Sequence, residues 1–408
     1  MLHRVEIANF YSIRDPQVID LRAASNAPDE PGRLAPIWRG ASDRAPKVVA
    51  LFGANASGKS NVLKALSFLT WFVKDSFQLT PDGLGSWILY QRFNDEEMQS
   101  LPTRLAVYFA GPVDLKRADD PDVAQCRYGY QVVLGSSVGE PHRVLHERLI
   151  YWPAHGGRPI RLFDRNEKGE VRAGRAFALA GFNKPLEKIL RFNVSVICTL
   201  APLGHPAATV LWRAAAGVAY NILLQKAEVN DEAIAKSYAA QPALLERLNR
   251  DLERMDLGVR AMQLQNGSNG PAAWFEHDGL SGPVPALLES NGTRQFIRIF
   301  PLINQALELG SVAIIDELDL TIHPLVLLEI IRWFHDSKRN PHNAQLWMTC
   351  HNASLLEDLI KEEVLFCEKD KFGRSTIYSL RDVQAVRRDD NYYRKYMGGV
   401  YGAVPHLG

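Results

Sequence analysis

Cysteine is scarce in this chain. Its 408 residues include only four cysteines, and no two of them form a C-x-x-C pair. They are scattered along the sequence as Cys126, Cys198, Cys350 and Cys367. This distribution argues against a disulfide-stabilised scaffold and against a zinc module built on paired cysteines. We therefore expect the chain to work in a reducing compartment.

The chain also lacks an excess of charge of either sign and any long apolar run. Lys and Arg number 47 against 46 Asp and Glu, which excludes an acidic disordered protein and a globally basic nucleic-acid coat. The hydrophobic fraction of 46% is that of an ordinary globular protein. No apolar run is long enough to span a bilayer, and the opening residues, MLHRVE, carry no signal-peptide core. We expect no membrane partner and a cytoplasmic location.

A glycine-rich segment follows a short apolar run near the N-terminus. Residues 48–52, VVALF, are typical of a buried strand, and residues 53–60, GANASGKS, match G-x-x-x-x-G-K-[ST] in full. Apolar residues at helical spacing then predict a helix. Such a loop presents backbone N–H groups and a helix N-terminus to phosphate oxygens. The sequence therefore predicts a bound nucleotide, with Lys59 reaching its β- and γ-phosphates and the Ser60 hydroxyl binding Mg²⁺. The predicted binding residues of the loop are Gly53, Asn55, Ala56, Ser57, Gly58, Lys59, Ser60 and Asn61.

Two acids end a second apolar segment late in the chain. Residues 312–315, VAII, are followed directly by Asp316 and Glu317. A buried strand ending in two acids places both carboxylates at the carboxyl edge of a sheet, where ligands bind in open α/β folds. Asp316 is predicted to hold Mg²⁺, and Glu317 to polarise the attacking water as general base. Since Asp316 lies 256 residues after Ser60, a large insertion is expected to interrupt the sheet.

The pattern of elements predicts an α/β fold. Three antiparallel strands form a meander, a helical region follows, and strands then alternate with helices to the end. The corresponding ranges are 103–110, 127–134 and 144–151 for the strands, about 205–257 for the helical region, and 291–308, 324–337 and 353–360 for later helices. The leucine stripe at 244–255 is interpreted as core or as a dimer surface. Residues 23–46 are expected to form a surface loop.

Three divisions of the chain follow from these patterns. Residues 1–150 are expected to form the N-terminal half of the core, with the phosphate loop and the meander. Residues 151–280 are expected to form an inserted β/helical lobe. Residues 281–408 are expected to complete the core. The predicted architecture is thus a split mixed β-sheet with helices, an antiparallel meander and an inserted helical lobe.

Five further segments match sequence patterns that occur together in one superfamily. They are residues 7–15, IANFYSIRD; 289–295, ESNGTRQ; 316–324, DELDLTIHP; 349–352, TCHN; and 396–405, YMGGVYGAVP. In the same order, they resemble the opening strand and turn of that superfamily, its signature motif in the Glu-Ser-x-Gly-Thr form, and its second acid pair joined to a D-loop-like turn. The last two resemble its switch-histidine segment and the C-terminal segment of one bacterial subgroup. With its phosphate loop, the chain resembles the ABC-type ATPases of the SMC, RecF and OLD superfamily. The resemblance is closest to RloA-like and abortive-infection AAA-type ATPases of prokaryotic phage defence.

The resemblance implies an ATPase in which two heads close over two nucleotides. Ser290 and Gly292 of one head would contact the γ-phosphate held by the other, and Asp319 would lie at the seam. His351 would sense the γ-phosphate and join Lys59 and Glu317 as a catalytic residue. Hydrolysis would then loosen the dimer.

The resemblance also implies a biological role and partners. The chain would be a sensor and scaffold subunit of a bacterial anti-phage system, acting as a homodimer or higher homo-oligomer. Gly53 and Ser290 are 237 positions apart, too few for the long coiled coil of SMC-like members. The 57 residues after His351 are too few for the nuclease domain of OLD proteins. A separate nuclease or toxin is therefore expected as the effector.

Two alternatives stay open at this stage. One is a RecF-like DNA-repair clamp, for which a basic groove at residues 143–175 or a basic, tyrosine-rich tail at 387–396 would bind DNA. For residues 143–175, a solvated hairpin face is favoured over a DNA-binding groove. For residues 387–396, packing of the tail on the head and binding of nucleic acid or a partner protein are equally favoured. The other alternative is a non-catalytic, nucleotide-gated scaffold, against which the intact Glu317 counts. The Q-loop glutamine is not assigned.

Overall fold

The computed structural model describes residues 1–28, 30–78, 90–135, 142–154, 157–223, 225–226, 230–255, 258–267 and 270–405. Its α-helices are α1 (Lys59–Asp75), α2 (Glu96–Ser100), α3 (Asn183–Ile189), α4 (Val196–Leu200), α5 (Pro206–Ala216), α6 (Asp231–Ala239), α7 (Pro242–Met255), α8 (Asn291–Leu309), α9 (Pro324–His335) and α10 (Tyr392–Met397). Its strands are β1 (Leu2–Ala8), β2 (Gln17–Asp20), β3 (Leu34–Pro36), β4 (Arg44–Pro46), β5 (Val48–Phe52), β6 (Thr103–Pro112), β7 (Gln125–Gly135), β8 (Arg143–Trp152), β9 (Ile160–Asn166), β10 (Val171–Ala173), β11 (Ala219–Tyr220), β12 (Val259–Gly267), β13 (Gly270–His277), β14 (Val284–Pro285), β15 (Val312–Ile315), β16 (Gln345–Thr349), β17 (Val364–Lys369) and β18 (Ser375–Ser379).

A six-stranded sheet forms the centre of the fold, in the order β11-β15-β16-β5-β17-β18. Its first five strands are parallel, and β18 pairs antiparallel with β17. Val49 and Leu51 of β5 pack into one hydrophobic cluster with α1, whereas Val48 and Ala50 pack into another with α8 and α9. Because helices cover both faces, β5 is buried along its whole length, which explains its unbroken apolar sequence. The predicted α/β fold is confirmed.

The second large sheet has seven antiparallel strands, in the order β10-β9-β8-β7-β6-β1-β2. The strands β6, β7 and β8 are consecutive neighbours in it, so the predicted meander is confirmed. The sheet continues through β9 and β10, which come after residue 150 in the chain. The remaining small sheets are β12-β13-β14 and the hairpin β3-β4.

The region predicted as helical contains α5, α6 and α7, but a short strand interrupts it. Strand β11 pairs parallel with β15 at the edge of the central sheet, and its two residues are too few to show a pattern in the sequence. In α7 the apolar stripe is buried in the same hydrophobic cluster as α8, which agrees with a core role. Pro301 lies inside α8 and cannot donate to the Ile297 carbonyl. The Tyr238 hydroxyl of α6 donates to that carbonyl over 2.9 Å, which fixes α6 against α8.

Two predictions about local structure are wrong. Residues 353–360 were predicted as a helix but form a short 3₁₀ turn at Ala353–Glu357. The Asn352 side chain caps this turn by accepting hydrogen bonds from both the backbone and the hydroxyl of Ser354. Residues 23–46 contain the hairpin β3-β4 and bury Ile37, so this segment contributes to the core. Across the described ranges, no helix combines the length and apolarity that a bilayer crossing requires.

Candidate functional site

The glycine-rich loop connects the buried strand β5 to the N-terminus of α1. Gly53 and Gly58 have φ angles of +148° and +108°, in the region that side chains rarely adopt. A Cβ atom on Gly58 would lie 2.3 Å from the Ser375 hydroxyl, so space as well as conformation requires glycine. Asn55 and Ala56 are exposed at the tip of the loop, whereas Ser57 is buried. The Ser57 hydroxyl is buried and makes no hydrogen bond within the described residues.

Lys59 is the first residue of α1 and points back into the loop. Its ammonium group donates to the carbonyls of Gly53 and Ala54, over 2.8 and 3.0 Å. The side chain is 5% exposed, and this burial lowers the pKa of Lys59 below its ordinary value. A positive charge is thus held inside the curve of the loop, where phosphate oxygens would replace the carbonyl contacts.

Asp316 lies next to the first turn of α1. The carboxyl ends of β5, β16 and β15 meet at one edge of the sheet, and Asp316 directly follows β15. The Ser60 hydroxyl donates to Asp316 Oδ1 over 2.9 Å, and the Thr349 hydroxyl donates to the same oxygen over 2.7 Å. The fold therefore brings together the two residues predicted to hold a metal.

The hydroxyl of Ser60 and the carboxylate of Asp316 fit Mg²⁺ in their chemistry. Mg²⁺ prefers oxygen ligands and usually takes one or two protein carboxylates beside phosphate and water oxygens. Among the described residues, no group of three or more His, Cys, Asp or Glu side chains could enclose a metal alone. A site made of Ser60 and Asp316 thus fits a cation that is shared with a bound phosphate.

Glu317 adopts a left-handed backbone conformation, with φ at +52°. Its backbone N–H donates to the Thr349 hydroxyl over 2.7 Å, so Thr349 touches both acids of the pair. The Glu317 carboxylate Oε2 lies 3.0 Å from the ammonium group of Lys226. The two neighbouring acids therefore face different partners, one a pair of hydroxyls and the other a lysine.

Asp319 connects the turn after the acid pair to the segment after β16. Its Oδ2 accepts the backbone N–H groups of His351 and Asn352, over 2.7 and 2.6 Å. Its Oδ1 is buried without a hydrogen-bond partner in the described part of the chain. The His351 side chain is exposed. Asp319 and His351 are thus brought together through the backbone of His351.

Ser290 caps the N-terminus of α8. Its hydroxyl accepts the backbone N–H of Thr293 over 3.1 Å, and the residue is exposed. A Cβ atom on Gly292 would lie 2.7 Å from the Thr321 carbonyl, so the signature-like segment packs closely against the D-loop-like turn. Among the hydrogen bonds of the described residues, none joins Ser290 or Gly292 to the phosphate loop.

Several leucines beside these two segments are strongly exposed. Leu287 and Leu288, just before Ser290, are 78% and 72% exposed. Leu320 and Leu325, which flank residues 321–324 of the D-loop-like turn, are 50% and 68% exposed. We call these four residues the leucine patch. Large apolar side chains grouped on a surface are typical of an interaction site.

Sequence reasoning missed Asn221 and Lys226, and assigned no role to Thr349. Asn221 follows β11, accepts the backbone N–H of Asp316 over 2.7 Å and donates to its carbonyl over 3.1 Å. These roles depend on strand pairing, so no local pattern could reveal Asn221 or Lys226. The position of Thr349 at the end of an apolar strand was the one available signal.

Asn61 was predicted to bind the cofactor, but its amide donates to the Ser12 hydroxyl over 2.7 Å. Ser12 in turn lies 2.6 Å from the hydroxyl of Ser375, which also donates to the Ser57 carbonyl. In this structure Asn61 therefore ties the phosphate-loop helix to the opening turn of the chain.

The arginines of residues 143–175, which were weighed as a basic groove, do not all face solvent. Arg158, Arg161 and Arg172 are exposed, but Arg165 is 1% exposed and pairs with Glu147 in the interior. In the tail, Tyr392 and Tyr396 are buried, while Arg388 pairs with Glu362 and Lys395 with Asp390. These contacts favour packing of the tail on the head.

The sequence model of one family, described as "AAA domain, putative AbiEii toxin, Type IV TA system", matches residues 48–103 and 164–357. Among solved structures, the chain is similar to the SMC head domain from Thermotoga maritima, with 14% identity and a TM-score of 0.37 over 93% of this chain and 98% of that chain. It is also similar to a structure described as the SmcHead bound to the C-winged helix domain of ScpA, with 11% identity and a TM-score of 0.41 over 93% of this chain and 97% of that chain. No curated protein matches the sequence.

Proposed function

Because the chain belongs to this AAA domain family, we propose that it binds ATP and hydrolyses it to ADP and phosphate. The observation that carries the proposal is the 2.9 Å contact between Ser60 and Asp316. These residues lie 256 positions apart, yet they meet at the carboxyl edge of the parallel sheet, where α/β folds bind ligands.

The phosphate loop supplies the binding energy for ATP. Its backbone N–H groups and the N-terminus of the 17-residue helix α1 face the phosphates. The Lys59 ammonium group exchanges its loop carbonyls for the β- and γ-phosphate oxygens. Ser60 and Asp316 would hold Mg²⁺, which neutralises charge on the phosphates when bound.

Glu317 acts as the general base of hydrolysis. A water oxygen attacks the γ-phosphorus, the bond to the β-phosphate oxygen breaks, and the water proton passes to the Glu317 carboxylate. Thr349 positions both acids by its two hydrogen bonds. His351, held by its backbone to Asp319, lies at the adjacent strand end and would contact the γ-phosphate.

A second copy of the chain completes the site. Ser290 and Gly292 make no hydrogen bond to the phosphate loop of their own chain in the described residues, and Ser290 is exposed. The leucine patch beside them gives this surface the apolar character of an interface. In a symmetric pair, each chain would present the N-terminus of α8 to the phosphates held by the other.

Dependence of turnover on chain concentration tests this arrangement. We expect ATP turnover per chain, measured as phosphate release, to rise with chain concentration and then level off. Leu287→Asp should shift the curve to higher concentration, because it puts a charge into the interface. Phe372→Asp is the matched control, since Phe372 is 64% exposed in the β17–β18 turn. Turnover per chain that is constant across concentrations would contradict the proposal.

The family description names a putative toxin and a toxin–antitoxin system, which supports a context with a second, partner protein. In this proposal the ATP state sets how two chains are arranged, and that arrangement holds or releases a nuclease or toxin in a phage-defence system. Co-expression with the neighbouring genes checks this part: a second, non-identical chain should copurify in the presence of ATP and Mg²⁺, and its absence counts against the effector role.

A further inference from the structure

A cavity of about 620 Å³ opens between α7, the second half of α8 and the segment that follows α9. It lies where strands β15 and β16 begin, because α8 ends at Leu309, just before β15, and the lining residue His342 comes just before β16. The phosphate loop and the acid pair lie where the strands of the same sheet end. Strands of four and five residues separate these two edges by roughly 15 Å, so the cavity is distinct from the proposed ATP site.

Positive charge dominates the lining of this cavity. Five lysine and arginine side chains line it against two acids, Asp251 and Glu308. Both acids are already paired, since the Arg339 guanidinium donates to both carboxylate oxygens of Asp251, and Arg247 pairs with Glu308. Arg339 also lies over the ring of Trp333, with its guanidinium carbon 3.8 Å from the ring centroid. These contacts neutralise both acids and hold two of the five cations in place.

The other three cations of the lining are Arg250, Arg254 and Lys338. Within the described residues, their side chains make no hydrogen bond and no ion pair. All three are exposed, so a ligand can reach them from solvent. Arg250 and Arg254 lie one helical turn apart on α7, where like charges repel each other unless an anion lies between them. The cavity therefore holds three positive charges that no side chain in the described part of the chain pairs with.

The chemistry of these side chains favours a compact ligand with several phosphate groups. A guanidinium group donates two parallel hydrogen bonds to phosphate oxygens, and an ammonium group adds a point charge. Three such groups in one cavity match negative charges that lie close together, as on adjacent phosphates. Exposed acids accompany the cations on the same elements, at Glu246 and Glu253 of α7 and at Asp336 after α9. The surface therefore does not form the continuous basic track that a nucleic-acid strand requires.

We propose that this cavity is a second anion site, which binds a small ligand that carries two or more adjacent phosphate groups. Arg250 and Arg254 hold the phosphates from α7, and Lys338 contacts them from the segment after α9. The ligand is a nucleotide or a polyphosphate chain without a base, since both present the same phosphate chemistry. None of these three residues belongs to the proposed ATP site, so the proposal is independent of ATP hydrolysis.

Calorimetric titration with inorganic tripolyphosphate tests the site, on a Lys59→Ala chain whose phosphate loop lacks its charge. We expect one tripolyphosphate to bind per chain at a salt concentration of about 0.15 M. Replacing both Arg250 and Arg254 with glutamine in that chain should weaken binding about tenfold or more, because two charge-assisted contacts are lost. The matched control replaces Arg158 and Arg161, two exposed arginines outside the cavity, with glutamine. It removes the same net charge and should leave the affinity within about twofold, because salt screens distant charges.

The same titration with ATP and with a short DNA duplex identifies the source of the phosphates. ATP that binds more tightly than tripolyphosphate, and that is weakened equally by the Arg250 and Arg254 replacements, makes the ligand a nucleotide. Equal or weaker ATP binding makes it a polyphosphate chain. The proposal is overturned if tripolyphosphate and ATP both fail to saturate the chain, if the two replacements leave their affinities unchanged, or if only the duplex binds. Thermal unfolding confirms that each variant is folded. Because no step measures hydrolysis, an inactive parent chain would count against the proposed function and not against this site.

Discussion

Replacing Glu317 with glutamine is expected to lower ATP turnover by a factor of about 10² to 10⁴, the range typical of a lost general base. Glutamine keeps the shape of the side chain, and the Thr349 contact is made by the backbone of Glu317. ATP binding should therefore stay within about fivefold of the parent, because the loss falls on the transition state. Bound ATP should then hold the paired chains together. Radiolabelled ATP turnover and equilibrium binding, measured on the same preparation, separate the two effects.

Two further variants make the Glu317→Gln result specific. Glu329→Gln removes an exposed carboxylate on α9, and its turnover should equal that of the parent. Asp316→Asn should instead weaken Mg²⁺-dependent ATP binding, because Asp316 belongs to the predicted metal site. A Glu317→Gln variant that hydrolyses ATP as fast as the parent would show that another group accepts the proton.

The largest effect on stability is expected at Arg165, in the interior of the seven-stranded sheet. Arg165 lies 3.5 Å from the Glu147 carboxylate, and the two side chains are 2% and 0% exposed. Glu147 also accepts hydrogen bonds from the Tyr130 hydroxyl and from the backbone of Val196. Arg165→Met leaves a buried carboxylate without its counter-charge, so the free energy of unfolding should fall by about 3–5 kcal/mol.

The loss should also depend on pH. Burial raises the pKa of the Glu147 carboxyl above its usual range, and the charge of Arg165 opposes that rise. In Arg165→Met the pKa of Glu147 rises further, so the folded chain keeps a proton that the unfolded chain releases above a pH of about 4.3. Stability from this group is present at low pH and is lost as pH rises through the folded pKa. Denaturation by urea at pH 5 and pH 8 measures the difference.

Matched variants check the stability prediction. Adding Glu147→Gln to Arg165→Met should recover part of the lost stability and remove the added pH dependence, because no buried charge is left. Arg374→Met breaks an exposed pair with Asp370 and should change the free energy of unfolding by no more than about 0.5 kcal/mol. Equal losses for Arg165→Met and Arg374→Met would contradict the account of the buried pair.

The sequence contained enough to predict the parts of the site whose geometry is local. The phosphate loop depends on backbone angles that Gly53 and Gly58 adopt within eight residues, so a short pattern identifies it. The start of α8 is likewise local, because Ser290 caps it from one residue away. Asp316 and Glu317 were predicted to lie beside the phosphate loop. The reason is that the loop and the acid pair each follow a buried strand, and such strands end at the same edge of the sheet.

The remaining contacts could not be predicted, because they depend on which strands become neighbours. Thr349 meets Asp316 only because β16 lies between β15 and β5. Lys226 and Asn221 reach the acids through β11, a strand of two residues in a region predicted as helical. Arg165 was assigned to a possible basic groove because composition does not show which face of β9 points inward. The division of the chain at residues 150 and 280 stays a prediction.

Mixing two inactive variants tests most directly the claim that two chains share one ATP site. Lys59→Ala removes the phosphate-loop charge, and Ser290→Arg blocks the exposed N-terminus of α8; each variant alone should hydrolyse almost no ATP. In an equal mixture, half of the pairs contain one complete site out of two, so activity should return to about a quarter of that of the parent. Thermal unfolding of each variant confirms that both are folded before mixing. A mixture no more active than its components would contradict the shared site and would place the whole reaction within one chain or outside this protein.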